Sequence, residues 1–492
     1  MNRARTVGVN DMLSFVNVIA FTLIFYALFF EQSIDENPYI DKLSLILGLL
    51  LCGQTQILLY LEKRNTDPFI LVLTYVTTVY YSLRLFTLNL YPYSTVFDRV
   101  GEYGPADSNI SLLIILVGNT CLAAGLFSKK LGLNALINVD NYKPIQPKLG
   151  TLIIIFIVSF NVLISLNNSE NNVSLIGLII LFFSPVNIFI ILATYVYIFR
   201  LDIKFFYKLS LIAIALILLA IQTIGGSRSG LLTYINYMFF FTIVFMPFFR
   251  IKLSAAIYAF SLIPVVLFLS IYIFVYATIS RGETQTSGAN MSVVQQLNVI
   301  NEIAQSDQAS STLESMKGLM FARAGFFDFT SEIIAHRKIY GEIFTLESYF
   351  KSIIDNVLTP GFDIFDYPKI GLGISQVSRG VVPLSKKGTI DAYQSDQISL
   401  IAETFSLFGY ISFVVLFLVG RFFKSIYSKS FNSSPFNLAL KRVFLIIIFY
   451  SALLSFGLDW LLLDAIVLAL TIIFFKPLFR IKRISNNDVS MA

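Results

Sequence analysis

Apolar stretches of about 17 to 25 residues recur from one end of this chain to the other, and no other feature limits the possible folds as strongly. Each is long enough to cross a bilayer as a helix, the form in which a segment bonds its own backbone N–H and C=O groups. Hydropathy places spans at 12–30, 42–61, 68–90, 110–127, 149–166 and 174–198. A second set follows at 209–225, 229–248, 253–279, 397–420, 442–457 and 460–476. The expected fold class is therefore an all-α integral membrane protein of about twelve transmembrane helices. The first stretch is too long for a signal-peptide core and has no small-residue cleavage site, so it is expected to be retained.

With 56% hydrophobic and 13% charged residues among 492, the chain is more apolar than a soluble domain of its length requires. Cys52 and Cys121 both fall inside apolar stretches and His336 is the only histidine, so neither a disulfide framework nor a metal centre is expected, nor any cofactor. The formal charge of +6 invites a nucleic-acid reading, but the positions of the charges explain it as topology instead.

Basic residues fall in alternate connections. Arg3 and Arg5, Lys63 and Arg64, Lys129 to Lys148, Arg200 to Lys208, Arg250 and Lys252, Arg421 to Arg442, and Lys476 to Arg483 share one parity and hold 22 Lys and Arg. The opposite short connections hold Lys42, Arg99 and Arg228. The positive-inside rule then puts both termini in the cytoplasm. The resulting organisation is nine spans over 1–279, a large outer loop over 280–396, three spans over 397–476 and a basic cytoplasmic tail over 477–492.

The outer loop carries apolar residues at helical spacing and is expected to fold. Phe327, Ile333, Ile334, Tyr340, Ile343, Phe350 and Ile354 form candidate apolar stripes on two helices within 326–358, lying parallel to the membrane surface. A Gly- and Pro-containing stretch, 359–373, reads as irregular.

Ionisable residues inside spans are functional candidates by default. Arg84, Arg228, Glu403, Asp459 and Asp464 all fall toward the outer side of their spans, which points to one outward-opening polar cavity. The plainer reading of Arg84 and Asp459 is snorkelling to the interface or mutual pairing. Arg228 lies in IGGSRSGLL, a Gly- and Ser-rich turn whose N–H groups, hydroxyls and guanidinium suit a phosphate; the plainer reading there is a glycine turn with a topological charge. Asp396 and Glu403, seven residues apart, fall on one helical face, and either carboxylate suits a general base or the neutralisation of a buried arginine.

Three stretches together resemble the O-antigen (oligosaccharide repeat-unit) polymerases, the Wzy-type membrane glycosyltransferases. GGSRSGLL (225–232) is similar to the glycine-serine-arginine turn between two middle spans of that family. The segments ARAGFFDF (322–329), GEIFTLESYFKSIIDNVLTPGF (341–362) and YPK (367–369) resemble its outer loop, and LIAETFSLFGYIS (400–412) resembles the glutamate-to-glycine pattern that opens its next span. The histidine that related ligases place just upstream of that pattern is absent, its neighbourhood here being Gln394, Ser395 and Asp396.

The resemblance implies a bacterial inner-membrane enzyme that moves a growing glycan from its undecaprenyl-pyrophosphate carrier onto a new lipid-linked repeat unit at the outer face. A chain-length regulator is an optional protein partner, and no nucleic acid is involved. Arg228, Arg281, Arg323 and Arg379 are the candidates to neutralise the departing pyrophosphate, and Asp396 or Glu403 to take the acceptor's proton. An O-antigen ligase or another outer-face lipid-dependent glycosyltransferase is a rival, weakened by the missing histidine. A lipid-linked oligosaccharide flippase is another, weakened by the folded loop and by polar residues gathered at one side.

Overall fold

The computed structural model describes residues 6–30, 37–62, 67–90, 103–128, 142–144, 185–198, 250–252, 326–340, 345–358, 364–368, 399–429, 435–454 and 481–483, with a few isolated positions. A short strand β1 (Thr6–Gly8) leads into helix α1 (Val9–Phe30), followed by α2 (Lys42–Glu62). A third apolar segment consists of α3 (Pro68–Val76), a π-helical turn (Thr77–Ser82) and α4 (Leu83–Leu90). Then come α5 (Pro105–Phe127), β2 (Tyr142–Pro144), α6 (Pro185–Ile198) and β3 (Arg250–Lys252). The loop segment contributes α7 (Phe326–Tyr340) and α8 (Leu346–Ile353), the latter running into a π-helical turn (Ile354–Leu358). The last elements are α9 (Leu400–Phe408), a 3₁₀ turn (Gly409–Ile411), α10 (Ser412–Ser428), α11 (Pro435–Leu454) and β4 (Ile481–Arg483).

Among the described residues the protein is all-α, in keeping with a membrane protein, apart from two three-residue strand pairings. Among the described residues, six helical stretches are long and apolar enough to cross a membrane: Val9–Phe30, Lys42–Glu62, Pro68–Leu90, Pro105–Phe127, Leu400–Ser428 and Phe436–Leu454. Three differ in extent from the sequence reading. The fourth starts at Pro105, a fixed-φ residue suited to the first helical turn. The fifth runs on to Ser428 and the sixth begins at Pro435, so Arg442 sits inside a helix. Its guanidinium lies over the Tyr427 ring, 5.1 Å from the centroid, and Lys441 donates to the carbonyls of Ile426 and Lys429 at the end of α10. Basic side chains with such partners are tolerated in a helix that hydropathy alone would cut short.

Among the described helices the closest packing is α5 against α10. A Cβ on Gly125 would collide with the Phe417 carbonyl, and one on Gly420 with the Leu122 carbonyl. Small residues at facing positions let the two backbones approach closely, which replaces the hydrophobic drive that lipid does not supply between helices. Polar side chains bind the other helices. Asn17 of α1 donates to the Cys52 carbonyl (2.9 Å), Thr78 donates to Asn17, and Asn119 of α5 donates to Thr77 (3.1 Å). Where α3 passes into the π turn, the hydroxyls of Thr74 and Thr77 donate back to the Leu71 and Leu73 carbonyls, a competition with the helical ladder that accompanies its widening.

At one end of the bundle Asp67 caps α3 by accepting from the Phe69 N–H, gives its own N–H to Glu62, and takes the Lys424 ammonium of α10. Lys424 is 3% exposed, so the basic residue that the sequence reading placed in a loop is a buried tie between α10 and the α2–α3 connection. An aromatic cluster sits beside it, with the Phe69 ring between Phe423, Tyr427 and Phe449. The two antiparallel pairings join β1 to β3 and β2 to β4.

Residues 400–428 do not form one straight helix. Ile401 and Leu416 both reach Gly118 of α5, where an added Cβ would meet them at 3.0 and 3.2 Å. Fifteen residues of straight helix would separate them by about 22 Å. The chain turns at Gly409, whose φ of +55° is in the region that favours glycine, and α9 folds back against α10. Glu403, expected two turns into a single long span, therefore sits on a short helix of its own.

Candidate active site

Glu403 lies in the first turn of α9. Ser399 caps the helix, its hydroxyl accepting from the Ala402 N–H at 3.2 Å, and the unpaired amides of that turn favour a carboxylate. The side chain is 3% exposed. Its Oε1 accepts from the Tyr349 hydroxyl at 2.5 Å, a short, charge-assisted geometry. Tyr349 belongs to α8, in the segment read as the outer loop, so two regions 54 residues apart in the chain meet at this carboxylate.

A second loop element holds the same helix. The Thr330 hydroxyl of α7 is 3.4 Å from that of Ser399 at the start of α9. One turn-pair further along α7, Arg337 donates to the Phe405 carbonyl and stacks over the Phe405 ring at 5.1 Å. The same guanidinium borders Gly409, where a Cβ would meet Nη2 at 3.1 Å. The Phe405 carbonyl also accepts from the Gly409 N–H at the end of α9, so Arg337 is a second donor at the turn.

α7 is itself locked into the bundle. Asp328 takes two bonds from Arg84 of α4, 3.2 Å from Nε and 2.7 Å from Nη2, with both side chains at 0% exposure. Phe327, Ile333 and Ile334 of the expected apolar stripe are buried, and Asp328, Thr330, Ser331 and Glu332 are buried too. α7, in the part of the chain where two helices are expected within 326–358, buries polar as well as apolar residues and is enclosed on its described faces by the π turn, α5 and α9, with Arg84 of α4 on Asp328. Arg84, for which the sequence offers snorkelling or pairing with Asp459 as the plainer readings, is buried and takes Asp328 as its bidentate partner, while Asp459 lies outside the described residues.

α8 is amphipathic. Tyr349 and Ser352 turn inward while Leu346 and Phe350 are 58% and 67% exposed. Thr345 caps its start, accepting from the Ser348 N–H. At its far end the Asp355 carboxylate gathers the backbone N–H groups of Ile364, Phe365 and Tyr367, all at 2.9–3.1 Å, so the irregular stretch folds back on the helix. On the exposed face, Glu347 and Lys351 pair at 2.7 Å, which lowers the Glu347 carboxyl and raises the Lys351 ammonium through their hydrogen bond. At such exposure the pair adds little stability.

No family model, characterised protein or solved structure matches this chain.

Of the site residues read from the sequence, Glu403 is placed in a buried, partnered position. Arg228, Arg281, Arg323, Arg379 and Asp396 lie outside the described residues, as do Asp459 and Asp464. The sequence reading missed Tyr349, Arg337 and Asp328. A hydroxyl one residue off an apolar stripe, and charges spaced along an otherwise buried helix, were the available hints, but only long-range packing selects them. Among the described residues no group of three His, Cys, Asp or Glu could hold a metal ion. A groove of about 550 Å³ between α2 and α5, lined by Leu50, Ile57, Leu61, Ala124 and their neighbours, has no titratable lining residue and so no means of acid–base chemistry.

Proposed function

We propose that this protein is a glycan polymerase that joins undecaprenyl-pyrophosphate-linked oligosaccharide repeat units at the outer face of a bacterial inner membrane. The observation that carries the reading is the buried Glu403 carboxylate on a helix broken at Gly409 and gripped by two loop helices. It is the glutamate of the glutamate-to-glycine stretch in the family resemblance, and its surroundings are those of a functional carboxylate held by its neighbours. The paired strands add support for the orientation: β1, β2, β3 and β4 all belong to segments that the distribution of basic residues assigns to the cytoplasm, and β1 pairs with β3 and β2 with β4.

In this reading the acceptor sugar's hydroxyl gives its proton to Glu403 or Asp396. The hydroxyl oxygen forms a new bond to the anomeric carbon of the donor glycan, and the bond from that carbon to the pyrophosphate oxygen breaks. The electron pair leaves with the pyrophosphate, whose developing charge Arg228, Arg281, Arg323 and Arg379 are the candidates to neutralise. No nucleotide is needed, since the sugar–phosphate bond is already activated.

The test is chain-length profiling of surface polysaccharide in a deletion strain complemented with wild type or with Arg228→Ala, Arg323→Ala or Glu403→Ala. The expected result is single repeat units at the surface of the deletion strain, long chains with wild type, and loss of long chains in the variants at normal expression. Repeat units trapped on the cytoplasmic side would instead identify a flippase and overturn the proposal.

A further inference from the structure

We infer that Tyr349 is the positioning residue of Glu403, delivering from the loop the hydrogen bond that fixes the carboxylate in its working orientation; the inference rests on the reading of Glu403 as the proton acceptor.

A glutamate side chain has three rotatable bonds, and a carboxylate that must meet an acceptor hydroxyl has to be held in one plane. Tyr349 is suited to that task. Its ring turns about two bonds only, and its hydroxyl reaches Oε1 at 2.5 Å, the short end of the range for O–H bonded to an ionised oxygen. Both side chains are buried, at 4% and 3% exposure, so water does not compete for the bond and the low dielectric strengthens it.

The donor is also preorganised. Its helix starts at the Thr345 cap and ends where Asp355 draws in three backbone N–H groups of 364–367. The acceptor's helix is fixed separately, by Thr330 at Ser399 and by Arg337 at Phe405. Neither end of the Tyr349–Glu403 bond depends on the bond itself for its place, which separates a positioning contact from a mere packing contact. Misplacing a reacting group by about 1 Å lowers rate by about a hundredfold.

The experiment is a double-mutant cycle on Tyr349→Phe and Glu403→Gln. Membranes carrying each variant are supplied with lipid-linked repeat units extracted from the deletion strain, and initial polymerisation rates are followed against unit concentration. Tyr349→Phe is expected to lower kcat about tenfold to a hundredfold with KM within about twofold. Glu403→Gln is expected to lower kcat by about 10²–10⁴. The double variant should be no slower than Glu403→Gln to within about twofold, because the hydroxyl acts only through the carboxylate. Full additivity of the two losses, or a wild-type rate for Tyr349→Phe, overturns the inference. A wild-type rate for Glu403→Gln overturns the underlying reading instead.

Incorporation of 3,5-difluorotyrosine at position 349 guards against a folding defect, since it changes donor strength with little change of shape. A changed kcat at unchanged thermal midpoint is expected; an unchanged kcat marks Tyr349 as packing only and also overturns the inference.

Discussion

Arg84 and Asp328 are 244 residues apart in the chain and form a bidentate ion pair from which solvent is fully excluded. This pair is what turns a segment read as an outer loop into part of the helical bundle. Two charges removed from water are tolerable only together, so each residue dictates where the other must be.

Removing one partner leaves the other charge buried and alone. Arg84→Met or Asp328→Leu is expected to destabilise the protein by about 3–5 kcal/mol. The double substitution to both apolar residues should recover much of that loss. Thermal unfolding in detergent measures both, and equal midpoints for the single and double variants would show that the pair does not hold α7.

Gly409 adopts a φ of +55°, and a side chain there would press on the Arg337 guanidinium at 3.1 Å. Gly409→Ala should therefore cost about 1–3 kcal/mol from the backbone alone, and it should loosen the Arg337 contact with Phe405. Polymer length is expected to fall at normal expression. Full activity with an unchanged melting temperature would count against the turn at Gly409.

The α5–α10 contact is tested by size. Gly125→Leu and Gly420→Leu place side chains against the Phe417 and Leu122 carbonyls, and both should abolish stable expression. Gly53 of α2 has open space where its Cβ would stand, so Gly53→Ala is the control expected to behave as wild type. Detergent-extracted yield and monodispersity by size-exclusion chromatography read the difference.

Asp355 holds the 364–367 stretch by accepting from the backbone N–H groups of Ile364, Phe365 and Tyr367. Asp355→Ala should release that stretch at a cost of about 1.5–3 kcal/mol. Limited proteolysis checks it: new cleavage in this stretch is expected in the variant and not in wild type. Identical digestion patterns would mean that the carboxylate is dispensable there.

Much of the architecture is legible without coordinates. Val9–Phe30, Lys42–Glu62 and Pro68–Leu90 follow the expected spans closely, because burial in lipid imposes an apolar composition that a sliding window detects. Glu403 stands out on the same grounds, as an ionisable residue inside an apolar helix. Hydropathy errs where polar groups find partners. On hydropathy Lys424 falls in a connection and Arg442 at the very start of a span, yet each sits well inside a helix, accommodated by Asp67 and by the Tyr427 ring.

The sequence by itself determined that the chain belongs in a membrane and marked Glu403, since both follow from the transfer cost of individual side chains, a property each residue carries alone. Only the tertiary structure decided that Tyr349 meets Glu403, that Asp328 answers Arg84, and that the chain doubles back at Gly409. Those facts depend on pairs: a buried charge or hydroxyl is stabilised by whichever partner the packing brings within about 3 Å, and nothing in local composition identifies a partner 54 or 244 residues away.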